Sequence, residues 1–189
     1  MWIKNKYEKA FATKDGTHQL IYGNRTEIAN VLGDDKFLKA WFASDHFDSV
    51  ASVIGTEALR GDIPSIKQMI WLNEQVYQNA PNVTRSEAEK VSLQVHASKE
   101  RIRFCEMAIA KGLDDRSYQA MGSYHNLYVL LGGQPGSAFS KGVTEAVEGI
   151  IRHAKIYLGS KNADPEYLDD VREALAYYSN ISALHRAAL

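Results

Sequence analysis

"SYQAMGSYHNLYVLLGG", residues 117–133, sets tyrosines at 118, 124 and 128 beside a histidine and an asparagine and closes on two glycines. Read as chemistry, the stretch is a polar pocket; read by its period, it is one helix with a broad buried side. Tyr118, Met121, His125, Tyr128 and Gly132 recur at steps of three and four, with Ala120, Tyr124, Leu127 and Leu131 on the adjoining side. Arg116, Gln119, Ser123 and Asn126 fall opposite. This division favours the helix: the tyrosines are amphipathic core residues whose hydroxyls reach the edge, and the opposite stripe is a candidate binding face. In the preceding "LDDRS", Asp114 or Asp115 is the expected N-cap.

Upstream, Ala88, Val91, Val95, Ser98, Ile102, Cys105 and Ile109 keep alternating steps of three and four up to Gly112. Thr84, with Glu87 three residues on, is the expected capping box of this long segment, a helix spanning the core. Before it, Phe47, Val50, Ala51, Ile54 and Ala58 form a stripe that stops at Gly61, and "RGDIPS" (60–65) turns the chain into a helix that opens at Pro64. "NAPN" (79–82) is expected to break that helix. Residues 1–45 are the least regular part and read as an N-terminal helical segment packed on a main body, residues 46–189. Downstream, "GGQPGSAFSKG" (132–142) is a linker. A helix follows through Val143, Val147, Ile150, Ile151, Ala154, Tyr157 and Leu158 to Gly159. A last one starts at Asp164-Pro165 and runs through Leu168, Val171, Leu175, Tyr178, Ile181 and His185. The expected class is all-α: antiparallel helical hairpins forming a short right-handed repeat-like array or an irregular bundle.

In "AIAKGLDDRSYQAMGSYHNLYVLLGG" (108–133), Ala108, Ala110, Gly112, Tyr118, Met121-Gly122, Tyr124 and Gly132 resemble the order of Sel1-like repeats, relatives of tetratricopeptide repeats. "GVTEAVEGIIRHAKIYLGSKN" (142–162) is similar to the second helix of such a unit, so the resemblance covers about one unit, residues 108–160. Met121-Gly122 stands one residue late, and the aromatic-aromatic-x-Lys-Ala-Ala signature is missing. The resemblance implies a helical scaffold that binds a protein or peptide.

The 22 basic and 23 acidic residues are spread along the chain and give no nucleic-acid footprint or attraction to an anionic membrane. A lone cysteine, Cys105, leaves no intrachain disulfide, and the charged start offers neither a signal sequence nor a membrane span, so a cytoplasmic chain is expected. No HExxH, CxxC, GxSxG or phosphate-loop order occurs, and no cofactor is expected. In "SDHFD" (44–48), Asp45, His46 and Asp48 are metal-ligand types, but serine and aspartate ahead of a helix are what its free amides want, so capping is the expected role. His153 and His185 fall on or beside apolar stripes and read as packed residues, and Cys105 as a buried apolar group.

These observations favour a non-catalytic protein-binding scaffold of the adaptor, inhibitor or immunity type. Its candidate surface is Arg116, Gln119, Ser123 and Asn126, continued on the last helix by Asp169, Glu173, Tyr177 and Asn180. The alternative is a small all-helical enzyme or ligand-binding bundle with a pocket lined by Tyr118, His125, Tyr128, His153 and Tyr157. The sequence sets no oligomeric state.

Overall fold

The computed structural model describes residues 47–134 and 139–187, together with positions 12, 13, 15, 16 and 40. Most of the expected N-terminal segment, Asp45, His46 and the side chain of Asp48 therefore lie outside the described residues. The fold is all-α. Among the described residues it consists of α1 (Phe47–Leu59), α2 (Ile63–Val83), α3 (Glu87–Ala110), α4 (Ser117–Leu130), α5 (Lys141–Gly159) and α6 (Leu168–Ala187). Short 3-10 turns, Asp114–Arg116 and Pro165–Tyr167, lead into α4 and α6. No helix among the described residues is long and apolar enough to cross a membrane.

The ends follow from residue chemistry. α1, α3 and α4 each stop at a glycine with positive φ: Gly61, Gly112 and Gly132. In α3 the Gly112 amide donates to the Ile109 carbonyl and the Leu113 amide to that of Ala108, which satisfies two carbonyls the helix would otherwise leave free. Asp62 caps α2, accepting from the Ser65 amide at 3.0 Å, with Pro64 in the first turn.

Two expected ends differ. α2 does not break at "NAPN" but continues through Pro81 to Val83. Pro81 removes the amide that would bond the Tyr77 carbonyl, and the side-chain amide of Gln94 on α3 donates to that oxygen at 3.3 Å instead. Thr84 is not the cap of α3; its hydroxyl donates to the Ala80 carbonyl and closes α2. The cap of α3 is Ser86, which accepts from the Glu89 amide at 3.2 Å, while Glu89 accepts from the Arg85 amide at 2.9 Å. Nor does Asp114 or Asp115 cap α4. The 3-10 turn occupies that place, with the Ser117 hydroxyl on the Asp114 carbonyl.

Sequence neighbours are neighbours in space. Tyr77 meets Gln94 and Glu74 meets Arg101, so α2 and α3 run antiparallel. Tyr118 packs on Tyr157, and a side chain at Gly142 would meet Leu131, which makes α4 and α5 antiparallel too. Contacts also skip one helix: Tyr118 stacks on Tyr167 just before α6, and Tyr128 packs on Tyr178 within it, so α4 and α6 run parallel and are bridged by these rings. The chain is thus a zigzag of hairpins. One core cluster joins α1 to α4 through Ile54, Ile66, Phe104, Cys105 and Ala120; a second joins α3 to α6 through Ile102, Leu127, Val147, Ile150, Tyr178 and Ile181. The 24-residue α3, about 36 Å long, supplies both and braces the two halves.

Candidate functional site

The two halves of the expected binding stripe have different fates. Ser123 is buried, not exposed: its hydroxyl donates to the Gln119 carbonyl at 3.0 Å and receives Arg101 Nη1 of α3 at 3.3 Å. Arg101 in turn is paired with Glu74 of α2, so Glu74, Arg101 and Ser123 join three helices. Arg116, Gln119 and Asn126 are half-buried. Arg116 lies in the 3-10 turn that packs against α3, α4 and α5, 3.6 Å from Asp115. The physical reason is that α4 has neighbours on more than one side, and at Ser123 a small side chain lets Arg101 of α3 reach in. The stripe on α4 is therefore closed at Ser123 and only partly open at Arg116, Gln119 and Asn126.

The half on α6 is open. Asp169, Glu173, Tyr177 and Asn180 are all exposed, and Leu184 extends their line. Tyr177 is 49 % and Leu184 66 % exposed, large for such side chains. Sequence reasoning does not single out Leu184, because it stands beside Ile181 and His185 of the helix's apolar stripe. Its signal was the seven-residue step from Tyr177.

The residues of the expected pocket do not converge. Tyr118 stacks between Tyr157 and Tyr167, with ring centres 5.4 and 4.7 Å away. The Tyr157 hydroxyl accepts from the Asp164 amide at 2.8 Å and so fixes the approach to α6. His125 Nδ1 and the Tyr178 hydroxyl are hydrogen-bonded at 2.5 Å, and Tyr128 packs edge-on against Tyr178. Burial, followed by the neighbouring Tyr128 and Tyr177, pushes the Tyr178 hydroxyl up to about 12, so it stays protonated. These tyrosines are the core residues their period predicts.

His153 belongs to a separate group. It is 2 % exposed, stacks on the Tyr124 ring at 5.5 Å, and makes no hydrogen bond through either ring nitrogen; its Nε2 lies 3.4 Å from Glu106 Oε1. Arg152 donates to Glu106 at 2.7 Å and to the Tyr124 hydroxyl at 3.1 Å. The Tyr124 hydroxyl also reaches Glu106, at 3.3 Å. Burial first, and then the Arg152 guanidinium, hold the His153 pKa below the ordinary imidazole range, against the pull of Glu106. The arrangement ties α3, α4 and α5 together and keeps a neutral imidazole inside. Cys105 is buried on α3, and burial pushes its thiol up to about 12, which removes it as a nucleophile at neutral pH. Among the described residues no cluster of His, Cys, Asp or Glu could hold a metal ion.

An open cleft of about 310 Å³ lies between α5 and α6, lined by Phe139, Thr144, Val147, Glu148, Ser182, His185 and Arg186. Phe139 and His185 stack at 4.3 Å and form one wall. None of the five residues expected to line a pocket takes part.

No family model, curated protein or solved structure matches the chain.

Proposed function

We propose that this chain is a non-catalytic helical scaffold that binds a protein partner, as an adaptor, inhibitor or immunity-type protein does. The observation that carries this reading is the outer face of α6, where Tyr177 and Leu184 stand exposed seven residues apart. A helix face that no neighbour and no partner covers is expected to be polar. An exposed tyrosine and leucine on that helix are the residues a partner covers, and tyrosine is enriched among the residues that dominate interface energy. The polar side chains that link the helices support the same reading. Arg101, Glu106, Tyr124 and Arg152 are engaged in bonds between helices, which gives them a structural part in holding the array together. The Sel1-like order of residues 108–160 points in the same direction.

The test is photo-cross-linking from position 177 in cells producing the chain, with Tyr177→Ala and Leu184→Ala compared in binding assays on the cross-linked partner. Each substitution is expected to weaken association by ~1–3 kcal/mol and to leave the melting temperature within error. Unchanged partner binding in both variants would remove α6 from the function.

The cleft favours a second reading, a ligand-binding bundle. Its 310 Å³ stands at the lower edge of the sizes that hold small molecules. Saturable binding of an aromatic acid that is lost in Arg186→Ala would move the assignment to this reading.

A further inference from the structure

We infer that the partner covering α6 is a second copy of this chain, with the two α6 helices packed antiparallel about a two-fold axis at Asn180. This rests on the reading of α6 as a protein-binding face and names its occupant.

The exposed line on α6 is Glu173, Ala176, Tyr177, Asn180, Ala183 and Leu184, at steps of three, one, three, three and one, which is one face of a helix. Its ends carry opposite charge. Asp169 and Asp170 stand in the first turn, with Glu173 next, and His185 and Arg186 stand in the last. Such a helix repels a parallel copy of itself at both ends and attracts an antiparallel one, and the helix dipoles add to the preference. Glu173 and Arg186 make no ion pair within the described residues, so both charges are available. Asp169 is already paired with Arg172.

A two-fold axis at Asn180 matches residue numbers that sum to twice 180. Tyr177 then lies over the partner's Ala183, and Ala176 opposite the partner's Leu184, so each large side chain meets a small one. Glu173 comes opposite the partner's Ala187, one position from the partner's Arg186, which flanks the contact and reaches it with its long side chain. Asn180 meets its own copy, where two amides can exchange hydrogen bonds and fix the register, a role a lone asparagine fills in an otherwise apolar helix pair. An isologous contact of this kind closes on itself and leaves no unpaired surface to grow a filament. One pair of five-turn helices lies at the small end of specific interfaces, so dissociation is expected in roughly the micromolar range.

The experiment is sedimentation equilibrium on the full chain from about 1 to 500 μM, a range that brackets the expected constant. The wild-type chain should pass from monomer to dimer, and Leu184→Glu should be monomeric throughout, with its far-ultraviolet circular dichroism unchanged. Glu173→Arg and Arg186→Glu should each weaken the dimer by about tenfold at low salt, because the two-fold axis repeats each clash. The doubly exchanged chain, E173R with R186E, should recover most of the wild-type affinity. A wild-type chain monomeric at every concentration overturns the proposal, as does a dimer untouched by L184E or a double exchange no better than the single ones. If the monomeric chain still cross-links a different protein from position 177, the dimer is wrong while the interaction-module reading stands.

Discussion

Gly149 lies buried in α5, and the ring of Tyr124 occupies the place where a side chain would begin. In α4 a Cβ added at Gly122 would meet nothing within 4 Å. Glycine inside a helix is worse than alanine by ~1 kcal/mol, so Gly122→Ala should raise stability by about 0.5–1 kcal/mol. Gly149→Ala should do the opposite and lower it by ~1–3 kcal/mol, since the ring must be displaced in a packed interior. Urea denaturation of the two variants checks this; a neutral or stabilising Gly149→Ala would mean that Tyr124 does not hold its place over α5. The same ring covers His153, whose pKa in the fold is depressed by burial and by Arg152. The unfolded imidazole, near 6.5, therefore takes up its proton at a higher pH than the folded one. Stability is fully present above about 6.5 and falls as pH drops from there toward the folded pKa, because the unfolded state binds more protons over that interval. The titratable and charged groups facing His153 are Glu106 of α3, Tyr124 of α4 and Arg152 of its own helix. A His153→Gln chain should lose this slope between pH 7 and 5.5 in denaturation midpoints (roughly the imidazole range), and an identical slope in both chains would assign the acid sensitivity elsewhere. The sequence placed His153 on an apolar stripe but could not show which carboxylate approached it, because Glu106 lies on another helix.

Single helices were legible because their signals are local. Gly61, Gly112 and Gly132 end helices where a positive φ is needed, and Ile54, Leu127, Val147 and Tyr178 are buried as their spacing indicates. The misread ends have two causes: a partner from another helix, and a choice between neighbouring residues that could each serve as the cap. Pro81 stays within α2 because Gln94 of the next helix takes the freed carbonyl, and Thr84 closes one helix instead of opening another because Ser86 lies two residues closer to the body of α3. Ser123 was misplaced for the first of these reasons, since only its contact with Arg101 of another helix distinguishes it from a surface residue. Leu127 tests the face assignment of α4 directly. It is 6 % exposed and belongs to the cluster that joins α3, α4, α5 and α6. Leu127→Ala should cost ~2–5 kcal/mol, whereas Val129→Ala on the same helix, at a position 57 % exposed, should stay within about 0.5 kcal/mol. Equal losses at the two positions would show that α4 is turned the other way.

The array as a whole is held by contacts between helices near in sequence, so its stability should vary along the chain rather than fail as one unit. α1 and α2 rest on α3 through one core cluster, and α6 rests on α4 and α5 through two others. α3 and α4 both supply buried side chains to the first cluster and the second: Phe104 and Cys105 of α3 with Ala120 of α4 in one, Ile102 of α3 with Leu127 and Tyr128 of α4 in the other. The grip on α6 comes from Val171, Tyr178 and Ile181, and Tyr178 is the most connected of them: it bonds His125 and packs on Tyr128 and Tyr177. Tyr178→Ala removes that anchor and leaves His125 without its partner. Amide hydrogen exchange should then show α6, and after it α5, losing protection by about two orders of magnitude, as a truncation of roughly 3 kcal/mol implies. Amides in α2 and the first half of α3 should keep theirs, because the lost ring belongs to the second cluster and not to the first. A uniform fall in protection from α1 to α6 would mean that α3 transmits the loss to both halves and that the zigzag unfolds in a single step. A fall confined to α6 and α5 would identify the last hairpin as a separable unit, free to change its packing when the face carrying Tyr177 and Leu184 is covered.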